Sequence, residues 1–304
     1  MLSYRHGFHA GNHADVLKHT VLTALLRHLA LKDTPFRVVD THAGAGFYRL
    51  NHPFAQKTGE WRDGIARIFS ASAPPPAVAD YLALVRQANA MELVPAVPKS
   101  ATQGQVAGQG VADAQPGVYP GSPWIARQLL RPDDRLQVFE LHTSDAPALI
   151  ESLRGDRQVK VIAGDGFAGL RAAWPPPSRR GVAFIDPSYE VKDDYRAVVD
   201  AVADSLKRFP TGIVAVWYPR LARRESELLP GKLKRLCSAN WLHAALDVRS
   251  PVGPGVHGGM HGSGMVILNP PWTLPQTLKP AMPWLQRKLA VDAGAATTLD
   301  WQIA

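Results

Sequence analysis

The sequence predicts an α/β protein: a Rossmann-like, doubly wound domain with a seven-stranded, mostly parallel sheet, an antiparallel edge hairpin and an inserted small helical subdomain. Three observations carry this. Runs such as Val159-Lys160-Val161-Ile162 and Ile213-Val214-Ala215-Val216-Trp217 read as strands buried on both faces. Helix-like stretches separate most of them, as the crossovers of a parallel sheet require. Several runs also end in an acidic residue or a glycine turn, the place where such sheets bind ligands.

Taken in order, the first helix is predicted over about Ala14 to Leu31, where Val16, Leu17, Val21, Leu25 and Leu29 recur at helical spacing. Strands are predicted at 37–42, 135–141, 158–163, 181–186, 212–218, 243–249 and 263–268. The last two have only the Gly-rich stretch from Pro251 to Gly264 between them and read as the edge hairpin. Almost a hundred residues separate the first and second strands, too many for one crossover helix. The chain therefore divides into an N-terminal segment with the first helix and strand (1–49), an inserted helical subdomain (50–118) and the rest of the main domain (119–304). The insertion's helices are expected over Gly59 to Phe69 and Ala77 to Leu93. Its stretch 95–117, nearly uncharged and rich in Gly, Gln, Ala and Pro, reads as a flexible loop.

With 304 residues and 46% hydrophobic content the chain can bury a real core. A net charge of +8 suggests a polyanionic partner, nucleic acid first, although the 34 Lys and Arg are dispersed. A single cysteine, Cys237, excludes an intrachain disulfide and a multi-cysteine zinc cluster. Arg5, His6, His9, Asp15 and Lys18 stand where a signal peptide needs an apolar centre, and no apolar run reaches membrane-spanning length. A cytoplasmic location without membrane contact is expected.

Four acids end successive predicted strands. Val38-Val39-Asp40-Thr41-His42-Ala43-Gly44-Ala45-Gly46 runs from strand into a glycine turn that lets backbone approach a ligand. A dinucleotide fingerprint needs a third glycine near position 49, where Arg49 stands, so a nicotinamide cofactor is disfavoured. Glu140 is placed to accept hydrogen bonds from two ribose hydroxyls, and Asp165 from an adenine amino group. Singly, each also suits a loop or helix N-cap. The fourth acid opens Asp186-Pro187-Ser188-Tyr189. Here the carboxylate and the Pro187 carbonyl can accept both N–H bonds of an aromatic amine and aim its nitrogen at an electrophilic methyl group. Tyr189 is expected to stack on the extruded base. His6, His9, His13 and His19 invite a metal, but no cysteine or fixed carboxylate completes a ligand set, and none is expected. Tyr4, His6 and Lys18 instead offer an aromatic face and cationic donors at the mouth of a base pocket.

These residues resemble the S-adenosylmethionine-dependent amino-methyltransferases with an (Asp/Asn)-Pro-Pro-(Tyr/Phe) motif. Within them the chain is most similar to the RlmJ family of bacterial 23S ribosomal RNA adenine-N6 methyltransferases. The likeness runs through Met1-Leu2-Ser3-Tyr4-Arg5-His6, Gly11-Asn12-His13-Ala14-Asp15-Val16-Leu17-Lys18-His19, Asp40 to Gly46, Tyr119-Pro120-Gly121-Ser122-Pro123, Glu140-Leu141-His142, Trp217-Tyr218-Pro219, Ser263-Gly264-Met265 and Asn269-Pro270-Pro271-Trp272. It implies a class I methyltransferase fold and S-adenosylmethionine as cofactor, held by His19, His42, Gly44, Gly46, Ser122, Glu140, Asp165 and Gly166. It implies Asp186, with Pro187 and Tyr189, as the catalytic group, and Tyr4, His6 and Lys18 as contacts to the RNA. The implied partner is 23S ribosomal RNA before full ribosome assembly, met by a monomer without a metal. Ser188 departs from the family's second proline, which removes a fixed φ angle from the turn. Two other readings stay open: a DNA adenine methyltransferase, and a non-catalytic RNA-binding protein in which Ser188 has weakened the site.

Overall fold

The computed structural model describes residues 4–92, 115–251 and 259–304. A 3-10 turn (His6–Phe8) precedes α1 (His13–Leu29), β1 (Arg37–Asp40) and β2 (Phe47–Arg49). Then come α2 (Pro53–Thr58), a 3-10 turn (Glu60–Arg62), α3 (Ala66–Phe69), α4 (Pro76–Glu92), β3 (Val118–Pro120) and α5 (Ser122–Gln128). Strands and helices next alternate: β4 (Arg135–Glu140), α6 (Asp145–Ser152), β5 (Val159–Ala163), α7 (Gly166–Ala173), β6 (Gly181–Ile185), α8 (Lys192–Arg208), β7 (Ile213–Arg220) and α9 (Arg224–Leu236). The chain closes with β8 (Asn240–Asp247), β9 (Gly262–Leu268), α10 (Leu274–Leu278), α11 (Ala281–Leu289) and β10 (Ala296–Ile303).

Eight strands form one sheet in the order β10-β8-β9-β7-β6-β1-β4-β5. From β7 to β5 all neighbours are parallel, and β9, β8 and β10 add antiparallel pairings. The seven strands predicted from sequence are all present. The eighth, β10, was not expected, and it takes the edge position that had been given to the β8–β9 hairpin. As an edge strand it is only partly covered, so Ala296 to Ile303 lacks an apolar run.

Strands β6 and β9 are buried along their whole length, which leaves no face of the sheet centre to water. Helix α1 supplies much of that cover. Its Asn12 N-cap oxygen accepts from the N–H groups of Ala14 and Asp15, both at 3.0 Å. Val16, Leu17, Val21, Leu22, Leu25 and Leu26 are each at most 1% exposed. Burial of each such side chain stabilises the fold by roughly 1.5–3 kcal/mol.

Residues 50–92 carry α2 to α4, and the helix expected over Gly59 to Phe69 is instead a 3-10 turn followed by the short α3. The predicted loop at 95–117 lies outside the described residues except for Gln115, Pro116 and Gly117. At the two ends of this stretch β2 and β3 pair antiparallel, Phe47 opposite Pro120 and Arg49 opposite Val118. Buried Asn89 of α4 ties the pair to the helix: its Oδ1 accepts from the N–H of Gly117 and Val118, and its Nδ2 donates to the carbonyls of Val85 and Val118. Asn89→Ala is therefore expected to lower unfolding free energy by about 1–3 kcal/mol for the groups left unpaired, measurable as a reduced urea midpoint at unchanged slope.

Candidate active site

Strand β1 has β4 on one side and β6 on the other, so the crossovers leave it in opposite directions. The crevice outside the carboxyl end of β1 is the switch point at which such sheets bind ligands. Across it the strand ends present Asp186 after β6, Asp40 ending β1, Glu140 ending β4 and Asp165 after β5. Three inter-strand steps of roughly 4.8 Å span ~14 Å from β6 to β5, the reach of a nucleoside carrying a short tail.

A cavity of about 350 Å³ occupies this crevice, within the range of small-molecule sites. Its walls bring together Tyr4, His6, Lys18, His19, His42, Gly44, Ser122, Glu140, Asp165, Gly166, Asp186 and Pro187. Those are all the sequence-predicted site residues but two. Gly46 does not line it; its carbonyl accepts from the N–H of Gly121 at 2.9 Å. Tyr189 is turned away: 2% exposed, it donates its hydroxyl to the Trp217 carbonyl at 2.6 Å, and its ring packs on Tyr195 and Trp217. Its backbone, at φ 54°, sits in the left-handed region, so the Asp186-Pro187-Ser188-Tyr189 turn points its aromatic ring into the core. The aromatic rings at the cavity are Tyr4, Tyr48 and Phe167.

The glycine turn is held by the acid beside it. The N–H of Gly44 donates to Glu140 Oε2 at 2.7 Å, and that of His142 to Oε1 at 2.6 Å. Each carboxylate oxygen keeps a second lone pair for a ligand hydroxyl. Gly44 has φ +61°, and a Cβ there would stand 2.2 Å from the Tyr48 hydroxyl. At Gly166 a Cβ would meet the Thr41 carbonyl at 1.9 Å, so α7 can start against β1 only with glycine. Asp165 caps α7 by accepting from the Phe167 N–H at 2.8 Å, the N-cap role the sequence also allowed. Buried His19 and half-buried His42 are pulled down to about 3 and about 4 by desolvation and are neutral at pH 7. His19 Nδ1 pairs with the Tyr119 hydroxyl at 2.6 Å and His42 Nδ1 with Thr41 Oγ1 at 2.7 Å.

Around Asp186 the charges are linked. Lys18 Nζ lies 2.6 Å from Asp186 Oδ2 and 2.8 Å from Asp15 Oδ1. His6 Nε2 reaches Asp15 Oδ2 at 2.9 Å, and the Tyr4 hydroxyl reaches His6 Nδ1 at 2.9 Å. Burial pushes the Asp186 carboxyl up, and Lys18 opposes it. For Lys18 burial works against the ammonium, but the two carboxylates outweigh it and hold the pKa above the ordinary value. His9, by contrast, pairs with Glu60 at 3.0 Å. Among the described residues no group of three or more His, Cys, Asp and Glu converges to hold a metal ion. A second cavity, of about 500 Å³, adjoins the first across Tyr4, His6, Lys18, Asp186 and Ser188, and Trp217 and Met260 line its far side. Neither Trp217 nor Asp15 was singled out from sequence; the sign available for Asp15 is its place three residues before Lys18 on a helix face.

Fold and cavity together define a class, the Rossmann-like methyltransferases, with a crevice at the sheet's switch point opening on an Asp-Pro turn. A family model described as ribosomal RNA large subunit methyltransferase D, RlmJ, matches residues 33–106 and 105–303. Ribosomal RNA large subunit methyltransferase J of Escherichia coli (strain K12) is 43% identical over 302 residues, 99% of each chain. The protein of the same name from Haemophilus influenzae is 38% identical over the same share of both chains. A crystal structure of a Legionella pneumophila protein superposes with a TM-score of 0.81 at 30% identity, covering 97% of this chain and 98% of that one. The chain belongs to the RlmJ family of ribosomal RNA large subunit methyltransferases.

Asp40 offers a direct test of the electrostatics. Burial pushes its carboxyl from 3.8 up to about 7, with the hydrogen bond from Ser122 Oγ, 2.7 Å away, opposing. Between about pH 4 and pH 7 the folded protein then holds a proton that the unfolded chain has released, so stability from this group falls as pH rises through that window. Asp40→Asn is expected to flatten that part of the stability profile, gaining on the order of a few kcal/mol over wild type above pH 7 in denaturant melts.

Proposed function

We propose that this protein transfers a methyl group from S-adenosylmethionine to the exocyclic N6 of an adenine in 23S ribosomal RNA. The observation that carries this reading is that Asp186 lines both of two adjoining cavities, with Pro187 beside it in the one walled by the acids Glu140 and Asp165. Bound in that crevice, S-adenosylmethionine supplies a methyl on a sulfonium, already a good leaving group. The residues fit it: a glycine turn that admits close approach, Glu140 for the ribose hydroxyls, Asp165 for the base amine, and His19, His42 and Ser122 along the wall.

The target base is flipped from the RNA into the adjoining cavity. Asp186 Oδ1 and the Pro187 carbonyl accept its two N–H bonds, while Lys18 occupies Asp186 Oδ2. That geometry draws the nitrogen lone pair out of the ring system and holds it in line for transfer. The amine proton becomes acidic once the methyl has moved, so a carboxylate of modest basicity suffices. Tyr4 lies beside Asp186 and supplies the stacking face. His6 and Lys18 flank it, Tyr189 secures the turn from beneath, and the +8 net charge favours the RNA backbone.

Incubation with labelled S-adenosylmethionine and either deproteinised ribosomal RNA or duplex DNA is expected to label the RNA, with nucleoside digestion releasing N6-methyladenosine. Label in DNA alone, or cofactor binding without transfer to either polymer, would reject the reading. Asp186→Ala is expected to lower turnover by at least about a thousandfold, with cofactor affinity by calorimetry within a few-fold of wild type.

A further inference from the structure

Asp15 is 1% exposed and does not line the nucleoside cavity, yet it touches both groups that reach Asp186 and the RNA side of the site. Its Oδ2 accepts from the N–H of Gly11 at 2.8 Å and from His6 Nε2 at 2.9 Å, and its Oδ1 takes Lys18 Nζ at 2.8 Å. Resting on the methyltransferase reading above, we infer that Asp15 is a positioning residue that shares Lys18 between two carboxylates and thereby sets how far Asp186 is neutralised and where it points.

Two arms leave this carboxylate. Along the first, Lys18 is 5% exposed on its side chain and is held at both ends of its reach, by Asp15 at 2.8 Å and by Asp186 at 2.6 Å. One cation between two anions leaves a net negative charge, so Asp186 stays a good hydrogen-bond acceptor; a Lys18–Asp186 pair alone would be neutral. Along the second arm, His6 Nε2 bonds Asp15 and its Nδ1 bonds the Tyr4 hydroxyl, 2.9 Å away, so the carboxylate orients the imidazole and, through it, Tyr4. The Gly11 N–H anchors Asp15 independently of both arms, at the left-handed residue before the α1 N-cap. Lys18 and Asp15 from α1, His6 and Tyr4 from the N-terminal segment, Asp40 from the end of β1 and Tyr189 from the same turn are, among the described residues, the charged and titratable groups that act on Asp186. His6, Lys18 and His19 face Asp15, whose carboxyl burial would raise but which the contacts from His6 and Lys18 hold well below its ordinary value.

Asp15→Asn keeps the shape and removes the charge. In the full-length protein, kcat for ribosomal RNA methylation is expected to fall ten- to a hundredfold while KM for S-adenosylmethionine stays within threefold. The acid limb of the pH profile of kcat/KM should move to lower pH, because Asp186 loses a negative neighbour. Asp15→Glu, which restores the charge, should return the limb toward its wild-type position. A folded Asp15→Asn protein with wild-type turnover, or one that loses only thermal stability with the limb unmoved, overturns the inference. If that variant does not fold, the wild-type Lys18 ammonium decides: ¹⁵N NMR should find it slowly exchanging near pH 7, and fast exchange overturns the bridging role. Failure of the wild-type protein to label ribosomal RNA would instead count against the methyltransferase reading and leave the NMR result to judge the bridge alone.

Discussion

Asp186 stands largely out of water, and the contact from Lys18 offsets what that burial costs its carboxylate. Taking a carboxylate and an ammonium out of water costs several kcal/mol per ion, so neither would persist here alone. The pair survives because its 2.6 Å contact is backed by a second carboxylate on the same helix. Removing one member of a buried pair typically costs about 3–5 kcal/mol. The first helix is thus bound to the end of β6 by charge as well as by its apolar face, and the position of α1 over the sheet becomes a condition of the Lys18–Asp186 contact.

The sheet order does the rest of the positioning. Because β1 is flanked by β4 and β6, acids that are far apart in sequence fall side by side along one edge. Backbone N–H groups and one hydroxyl then hold them: the N–H of Gly44 and His142 for Glu140, that of Phe167 for Asp165, and the Ser122 hydroxyl with the His42 N–H for Asp40. These bonds stiffen the crevice before any ligand arrives, which reduces the ordering that binding must supply.

Much of this was legible in the residues. Strands buried on both faces announce themselves as apolar runs, and acids at their ends follow from where the runs stop, which is why Asp40, Glu140 and Asp186 could be found. Asp165 was found too, although β5 is the sheet's other edge strand with none of its residues buried, not the strand covered on both faces that Val159 to Ile162 suggested. Strand β10 escaped because an edge strand needs only one covered face; its signal is the alternation of Thr297, Leu299, Trp301 and Ile303, without a continuous apolar core. Tyr189 misled for a different reason. A motif gives the order of side chains but not the sign of a φ angle, and at 54° that residue turns its ring beneath the turn instead of over it. Asp15 was visible only as one charge three residues before Lys18 on a helix end, since the contacts that give the pair meaning, those to His6 and Asp186, depend on tertiary packing.

The β2–β3 ribbon fixes the two ends of the intervening stretch only a few ångströms from each other, at Arg49 and Val118. From the sheet's standpoint that excursion leaves and returns at a single gate. Lengthening a closed loop adds entropy cost only logarithmically, roughly 0.6 kcal/mol per doubling. This part of the chain can therefore lengthen or shorten over evolution while the sheet edge that carries Asp40, Glu140 and Asp186 keeps its register.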